Sequence, residues 1–259
     1  MPIKNLNRSI FRLSGESVVE WLDGIITNNL KSDINFAAIL TPQGKIIADF
    51  FVTKHEGTLL IDTPTKFATD LHKRLKLYKL RAQIEITDVS ETHSVYAIWD
   101  EDDFKQGYVD PRHISLGQRL ITTEEHASTG DYNAHRLSLG VVESEWDFES
   151  VKVFPADANM DVMNGVDFQK GCFVGQEVVS RMKRMTTVKK RMRGVIFNGV
   201  AEVGDRILAG ERVIGDILSV HGQIGMALIR LDRLSDAETT PTVNDVNIKI
   251  MDSVDGYAQ

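Results

Sequence analysis

The sequence predicts an α+β protein in which helices pack over antiparallel or mixed sheet and a small all-β unit follows. Three observations carry this. The stretch "SGESVVEWLDGIIT" sets Val18, Trp21, Leu22, Ile25 and Ile26 on one helical face. The run "FAAIL-TPQG-KIIADFFVT-KHEG-TLLID" alternates short apolar segments with Pro/Gly turn signals, as a three-strand meander does. Beyond about residue 188, short apolar runs such as "MRGVIFNG", "RVIGDILSV", "IGMALIRL" and "VNIKIMD" are separated by Gly, Asp and Asn, the spacing of a small barrel or sandwich.

Taken in order, the first helix is expected to start at Ser14, whose hydroxyl suits an N-cap. After the meander, "PTKFATDLHKRLKLYKLR" carries Phe67, Leu71, Leu75 and Tyr78 at helical spacing, with its basic residues forming a solvated face. The segments "AQIEITDV" and "HSVYAIWD" then read as strands. From about 104 to 187 the chain is loop-rich, with a helix over "YNAHRLSLGVV" ending near Gly140 and another over "GQEVVSRMKRM" beginning near Gly175. The third stretch shows no helical pattern. These readings divide the chain into a core over 1–187, with an internal boundary near 90–105, and a barrel over 188–259.

Composition limits the function classes. With 42% hydrophobic and 26% charged residues the chain is expected to be folded and soluble. Its N-terminus lacks an apolar signal region, and runs such as "GMALI" fall far short of a bilayer span. No membrane partner is expected. The single cysteine excludes an internal disulfide, and the seven histidines are scattered singly. No metal site is expected, since clusters and structural zinc need several thiolate or imidazole ligands at short spacing.

That cysteine lies in "DFQKGCFVGQEVVSR". Lys170 two positions before it and a helix start just after it would favour the thiolate and make Cys172 reactive. Gly171 and Gly175 would let the backbone turn sharply and let a ligand approach the main chain. The same residues also suit a tight turn around a small buried side chain, and both readings stand at this point.

The run from Gly165 to Arg181 closely resembles the K-G-C-[YF]-x-G-Q-E motif of the YgfZ family of folate-binding, iron–sulfur-cluster maturation proteins, relatives of the glycine-cleavage T-protein, an aminomethyltransferase. Further matching pieces are "WLDGIITNNL", "AAILTPQGKIIADFFV", "DPRHISLGQR", "FPADANMD" and "IGDILSVHGQIGMALIRLDR". The resemblance implies a folate-binding core like those of the T-protein and the N-terminal domain of the tRNA-modification GTPase TrmE, with intertwined subdomains and a C-terminal β-barrel. It implies Cys172 and Lys170 as the catalytic pair, and Gly171, Gly175, Gln176 and Glu177 as binding residues. Tetrahydrofolate, polyglutamylated, is the implied cofactor, and iron–sulfur client or assembly proteins are the implied partners. The location implied is the cytoplasm, or the mitochondrial matrix in a eukaryote.

Two departures from the pattern stand out. Where the T-protein has two adjacent acids after its Gly turn, this chain reads Ile47-Ala48-Asp49, leaving Asp49 alone, which disfavours aminomethyl transfer. After the motif helix the chain reads "KRMTTVKK" in place of an Arg-Gly pair. Asp157 is a further candidate for the pterin N–H groups, because a carboxylate accepts them well. Arg136 suits either a folate carboxylate or an internal acid. Trp21 and Trp146 could stack on a pterin, although Trp21 fits packing better. Between Arg181 and Arg193 lie seven basic residues and no acid; against a net of −7, the remainder carries −14. Such a patch suits the glutamyl tail of folate, tRNA or an acidic partner.

Overall fold

The computed structural model describes residues 1–100, 107–185 and 188–252. The chain opens with β1 (Ile3–Leu6) and β2 (Arg8–Ser14), then α1 (Val18–Asp23). The expected meander follows as β3 (Ile34–Leu40), β4 (Ile46–His55) and β5 (Thr58–Pro64), closed by α2 (Thr65–Lys79). Next come β6 (Glu85–Asp88), β7 (Ser94–Ile98), β8 (Tyr108–Val109) and β9 (Gln118–Thr122). Two short helices, α3 (Tyr132–Ser138) and α4 (Ser144–Asp147), lead through irregular chain to α5 (Gln176–Met185). The remainder is β10 (Lys190–Phe197), β11 (Arg206–Ala209), β12 (Arg212–His221), β13 (Ile224–Arg230), α6 (Leu231–Leu234), β14 (Thr242–Val243) and β15 (Val246–Ile250).

These strands make a five-stranded sheet in the order β3-β4-β5-β2-β6, a four-stranded sheet in the order β1-β7-β9-β8, and a closed six-stranded barrel of β10-β13-β12-β11-β14-β15. Only Asn7 separates β1 in one sheet from β2 in the other, so the two sheets share the chain's first strands and are intertwined. β3 is buried at all seven positions and β4 at its first eight, which is why they read as near-continuous apolar runs. The α2 face expected to be apolar is the buried one, with Phe67, Leu71 and Leu75 enclosed.

Three expectations need correction. Ser14 is the last residue of β2, paired with Glu85, and α1 begins four residues later without a side-chain cap. The β2–β6 ladder claims the serine, and Gly15 at φ 140° turns the chain out of the sheet. The two N-terminal strands were not legible, because their partners lie some 50 to 90 residues away in the chain. The barrel region carries one four-residue helix, α6. The "KRMTTVKK" loop falls partly outside the described residues, as does part of the 90–105 boundary.

Between the two sheets lies a buried layer of charge. Arg112 donates to Asp110 (Nε at 3.0 Å, Nη2 at 2.8 Å), to Glu143 at 2.6 Å and to the Tyr132 hydroxyl at 2.8 Å. Arg119 donates to Asp62 at 2.6 Å and lies 3.6 Å from the Phe51 ring centre. Arg8 pairs with Asp62 and reaches Glu143 at 3.2 Å. Buried guanidinium groups persist only when paired in this way, so the layer holds the sheets in one mutual arrangement.

Candidate functional site

The motif loop is built on long-range anchors. Asp167 accepts from the Gln169 amide at 2.7 Å and from Asn29 Nδ2 at 2.5 Å, which tightens the chain before Lys170. Lys170 then turns inward: its Nζ donates to the carbonyls of Asp23 (2.5 Å), Ile26 (2.9 Å) and Asn28 (2.8 Å). Its side chain is 3% exposed, and burial lowers its ammonium below the usual lysine range against the pull of Asp23 and Asp167. All three ammonium protons are therefore spent on backbone oxygens. Against the expectation that its charge serves a Cys172 thiolate, the contacts it makes are those of a clamp that fixes the 23–28 segment under the loop.

On the other side of Cys172 the loop is pinned again. Phe173 is buried, and Gly175 sits at φ 84° with the place of a Cβ only 2.6 Å from the Thr41 carbonyl. That glycine is required by both conformation and close approach. Gly171 is different, since a Cβ there would meet nothing within 4 Å. Gln176 Nε2 donates back to the Gly171 carbonyl at 3.3 Å, joining the first residue of α5 to the loop. Glu177 is exposed on the first turn of α5. Between the two anchors Cys172 is exposed as a free thiol, so the reading of a small buried residue in a tight turn is set aside.

The other predicted residues are dispersed. Asp157 is 1% exposed, accepts from the Phe154 amide at 3.0 Å and lies 3.5 Å from Lys190 Nζ. Its carbonyl takes the Met192 amide at 2.8 Å, while Arg191 binds Asp161 through two contacts of 2.7 Å. The "FPADANMD" segment is thus the socket for the first barrel strand. Arg136 is wholly buried and pairs through two N–H groups with Asp147, and Ser219 of β12 donates to the same carboxylate at 2.5 Å. The internal-acid alternative holds for Arg136, because nothing of its guanidinium is left for a ligand.

Asp49, on β4, is 5% exposed and accepts the Ser144 hydroxyl. Burial and then the Glu143 charge push its carboxyl up to about 6, against Ser144, Arg8 and Arg112. Burial acts upward on Glu143 too, but Arg112, Arg8 and Arg119 outweigh it and hold that group at about 2. Two carboxyls in one layer thus take opposite protonation behaviour from their cation count.

In front of this layer opens a cavity of about 310 Å³, lined by Asn7, Arg8, Tyr132, Glu143, Glu145 and Trp146 among others. Glu145 Oε1 accepts from Asn7 Nδ2 at 3.4 Å, and its Oε2 is buried with no hydrogen-bond partner among the described residues. Burial raises this carboxyl. Trp146 is 39% exposed and has the Arg136 guanidinium 4.9 Å from its ring centre. Of the two tryptophans weighed for stacking, Trp146 lines the cavity, and Trp21 packs against the core with its N–H on the Tyr78 carbonyl. Glu145 was missed; the crowding of acids around a tryptophan in "ESEWD" was its only signal.

The basic segment is less uniform than its sequence. Lys190 and Arg191 have the internal partners above, and Lys183 Nζ lies 3.6 Å over the Phe168 ring. Arg181, Arg184 and Lys189 are exposed. Among the described residues no His, Cys, Asp and Glu side chains group to hold a metal, and no helix is long and apolar enough to cross a membrane.

Residues 189–252 match the family model described as the CAF17 C-terminal beta-barrel domain. The chain is 30% identical over 224 residues to the mitochondrial iron–sulfur cluster assembly factor IBA57 homolog of Mycosarcoma maydis, covering 74% of this chain and 56% of that protein. The IBA57 homolog of Neurospora crassa is also 30% identical, with 73% and 52% covered, and that of Pyricularia oryzae 28% identical, with 89% and 72% covered. The chain thus spans little more than half the length of the first two relatives. In three dimensions the aminomethyltransferase T of the glycine cleavage system from Bartonella henselae superposes over 97% of this chain and 85% of its own, with a TM-score of 0.74 at 12% identity. The fold is therefore that of the aminomethyltransferase T, completed by a barrel that matches the CAF17 C-terminal domain.

Proposed function

We propose that this protein is an accessory factor for the assembly or repair of iron–sulfur (4Fe–4S) proteins, working through Cys172 and tetrahydrofolate. The observation that carries the reading is the free thiol itself, exposed on a loop pinned by Lys170 on one side and by Phe173 and Gly175 on the other. A thiol held in the open on a fixed frame is placed to meet a partner's iron or sulfur. The likeness to proteins named iron–sulfur cluster assembly factors supports the same role. Cys172 acts there without holding a cluster alone, since a single thiolate is far from a cluster's ligand set.

The folate is assigned to the cavity beside α4, within a core over 1–187. The fit rests on the orphaned Glu145 Oε2, an acceptor for pterin N–H groups, and on the open part of Trp146 as a stacking surface. Gly171, Gln176 and Glu177 frame the thiol for the partner, whereas Asp157, Arg136 and Asp49 support the fold behind the two sites. Arg181, Arg184 and Lys189 present the charge for a glutamyl tail, an acidic assembly protein or tRNA. Aminomethyl transfer is not favoured, because the one acid after the Gly turn, Asp49, is enclosed and bonded to Ser144. In a eukaryotic cell the site of action would be the mitochondrial matrix, a reading that the word mitochondrial in the relatives' names supports only as to the organelle, and in a bacterium the cytoplasm.

Titration with tetrahydrofolate tests the assignment. Glu145→Gln and Trp146→Ala each weaken binding about tenfold or more, the usual worth of one charge-assisted bond or one stacked ring. Unchanged affinity in both variants removes folate from this cavity.

A further inference from the structure

A second surface lies at the C-terminal end of α2. From Thr65 to Arg81 the chain carries six basic residues and one acid, Asp70. Lys66 is paired with Glu149 at 3.1 Å, but Lys73, Arg74, Lys76, Lys79 and Arg81 have no ion pair or side-chain hydrogen bond among the described residues. Five uncompensated cations thus crowd the C-terminal half of α2 and the residues after it, on a chain whose formal charge is −7.

The same helix end displays apolar side chains. Leu77 is 55% and Leu80 84% exposed, and Leu77 borders a shallow hollow that it shares with Lys73, Arg74, the acid Asp70 and Val151, itself 48% exposed. Leu80 is held at φ 43° and ψ −106°, a conformation costly for any residue but glycine. A basic face interleaved with protruding aliphatic residues is the arrangement that binds an anionic lipid surface: cations meet the headgroups and leucines enter the boundary beneath them. None of the exposed residues here is aromatic, so the face lacks the stacking platforms that single-stranded nucleic acid uses.

We propose that the C-terminal end of α2 docks this protein peripherally on an anionic membrane surface through Lys73, Lys76, Arg81, Leu77 and Leu80. No span is involved. It rests on observations independent of the Cys172 reading.

Co-sedimentation of the whole protein with vesicles tests this. Phosphatidylcholine vesicles containing about a third phosphatidylglycerol should carry the protein down, pure phosphatidylcholine should not, and about 0.5 M salt should release it. Each cation is worth roughly fivefold in affinity, so Lys73→Gln, Lys76→Gln and Arg81→Gln together should cost about a hundredfold. Leu80→Gly should lower vesicle affinity while raising Tm, because glycine adopts φ 43° freely. Failure to sediment with anionic vesicles overturns the proposal, as does equal sedimentation with both vesicle types. So does binding that the triple variant keeps, or binding of the wild type to a polyglutamate peptide in place of vesicles, which would give the surface to an acidic protein.

Discussion

Replacing Lys170 by methionine separates the two roles a lysine beside a cysteine could have. In the structure its ammonium satisfies the carbonyls of Asp23, Ile26 and Asn28 at 2.5, 2.9 and 2.8 Å, so Lys170→Met would leave three acceptors without their donor. Each buried acceptor so orphaned costs about 1–3 kcal/mol, and the lower end applies where water can reach the loop. Against this, methionine avoids burying a charge, whose cost shows in the lowered Lys170 ammonium. The balance is about 3 kcal/mol of lost stability, or a fall in Tm of roughly 6–12 °C for a chain of this size. Cys172 is exposed, while the ammonium's protons all go to backbone oxygens. Below the new Tm its alkylation by iodoacetamide at neutral pH should therefore proceed within about twofold of the wild-type rate. Calorimetry and a thiol-labelling time course decide it. An unchanged Tm with alkylation slowed tenfold would refute the clamp and restore Lys170 as the thiol's activator.

Asp49→Asn should stabilise the protein at pH 8. The Asp49 carboxyl is raised from 3.8 to about 6, so its favourable contribution is present below pH 3.8 and lost as pH rises through 6. The difference amounts to about 3 kcal/mol, and the variant should lack the matching slope between pH 4 and 6 in denaturant titrations. Asp147→Ala strands the buried Arg136 and frees Ser219, at a cost of about 3–5 kcal/mol; a loss under 1 kcal/mol in urea unfolding would show the pair to be dispensable. Gly175→Ala forces a Cβ to within 2.6 Å of the Thr41 carbonyl at φ 84°, so Tm should fall by several degrees and proteolysis should begin at the 170–177 loop; an unshifted Tm contradicts the close approach.

How much of this was legible in the sequence follows from where each residue's partners lie. The α2 helix, the β3–β5 meander and the barrel were visible because their signals are local: Phe67, Leu71 and Leu75 four apart, turn residues between strands, and short runs at even spacing. β1 and β2 were not, since their ladders join residues such as Ile3 to Ile98 and Arg8 to Pro64. The site divides in the same way. The exposure of Cys172 agrees with its polar neighbours in the motif, but the task of Lys170 is fixed by carbonyls more than 140 positions away, which no local pattern reveals. Arg136 offered two partners on chemistry alone, and the proximity of α4 chose Asp147. The buried Arg112 and Arg119 could not be told from surface arginines, because Glu143 and Asp62 meet them only through the packing of two sheets.

Whether Cys172 is a working thiol is decided by the Cys172→Ala variant in a strain lacking this protein. An exposed cysteine can be removed with a stability change within about 0.5 kcal/mol, so Tm and tetrahydrofolate affinity should match the wild type. The activity of 4Fe–4S enzymes in that strain should nevertheless stay at the level of the empty vector. Full restoration of those activities by Cys172→Ala would contradict the account and leave a folate-gated binding module without thiol chemistry.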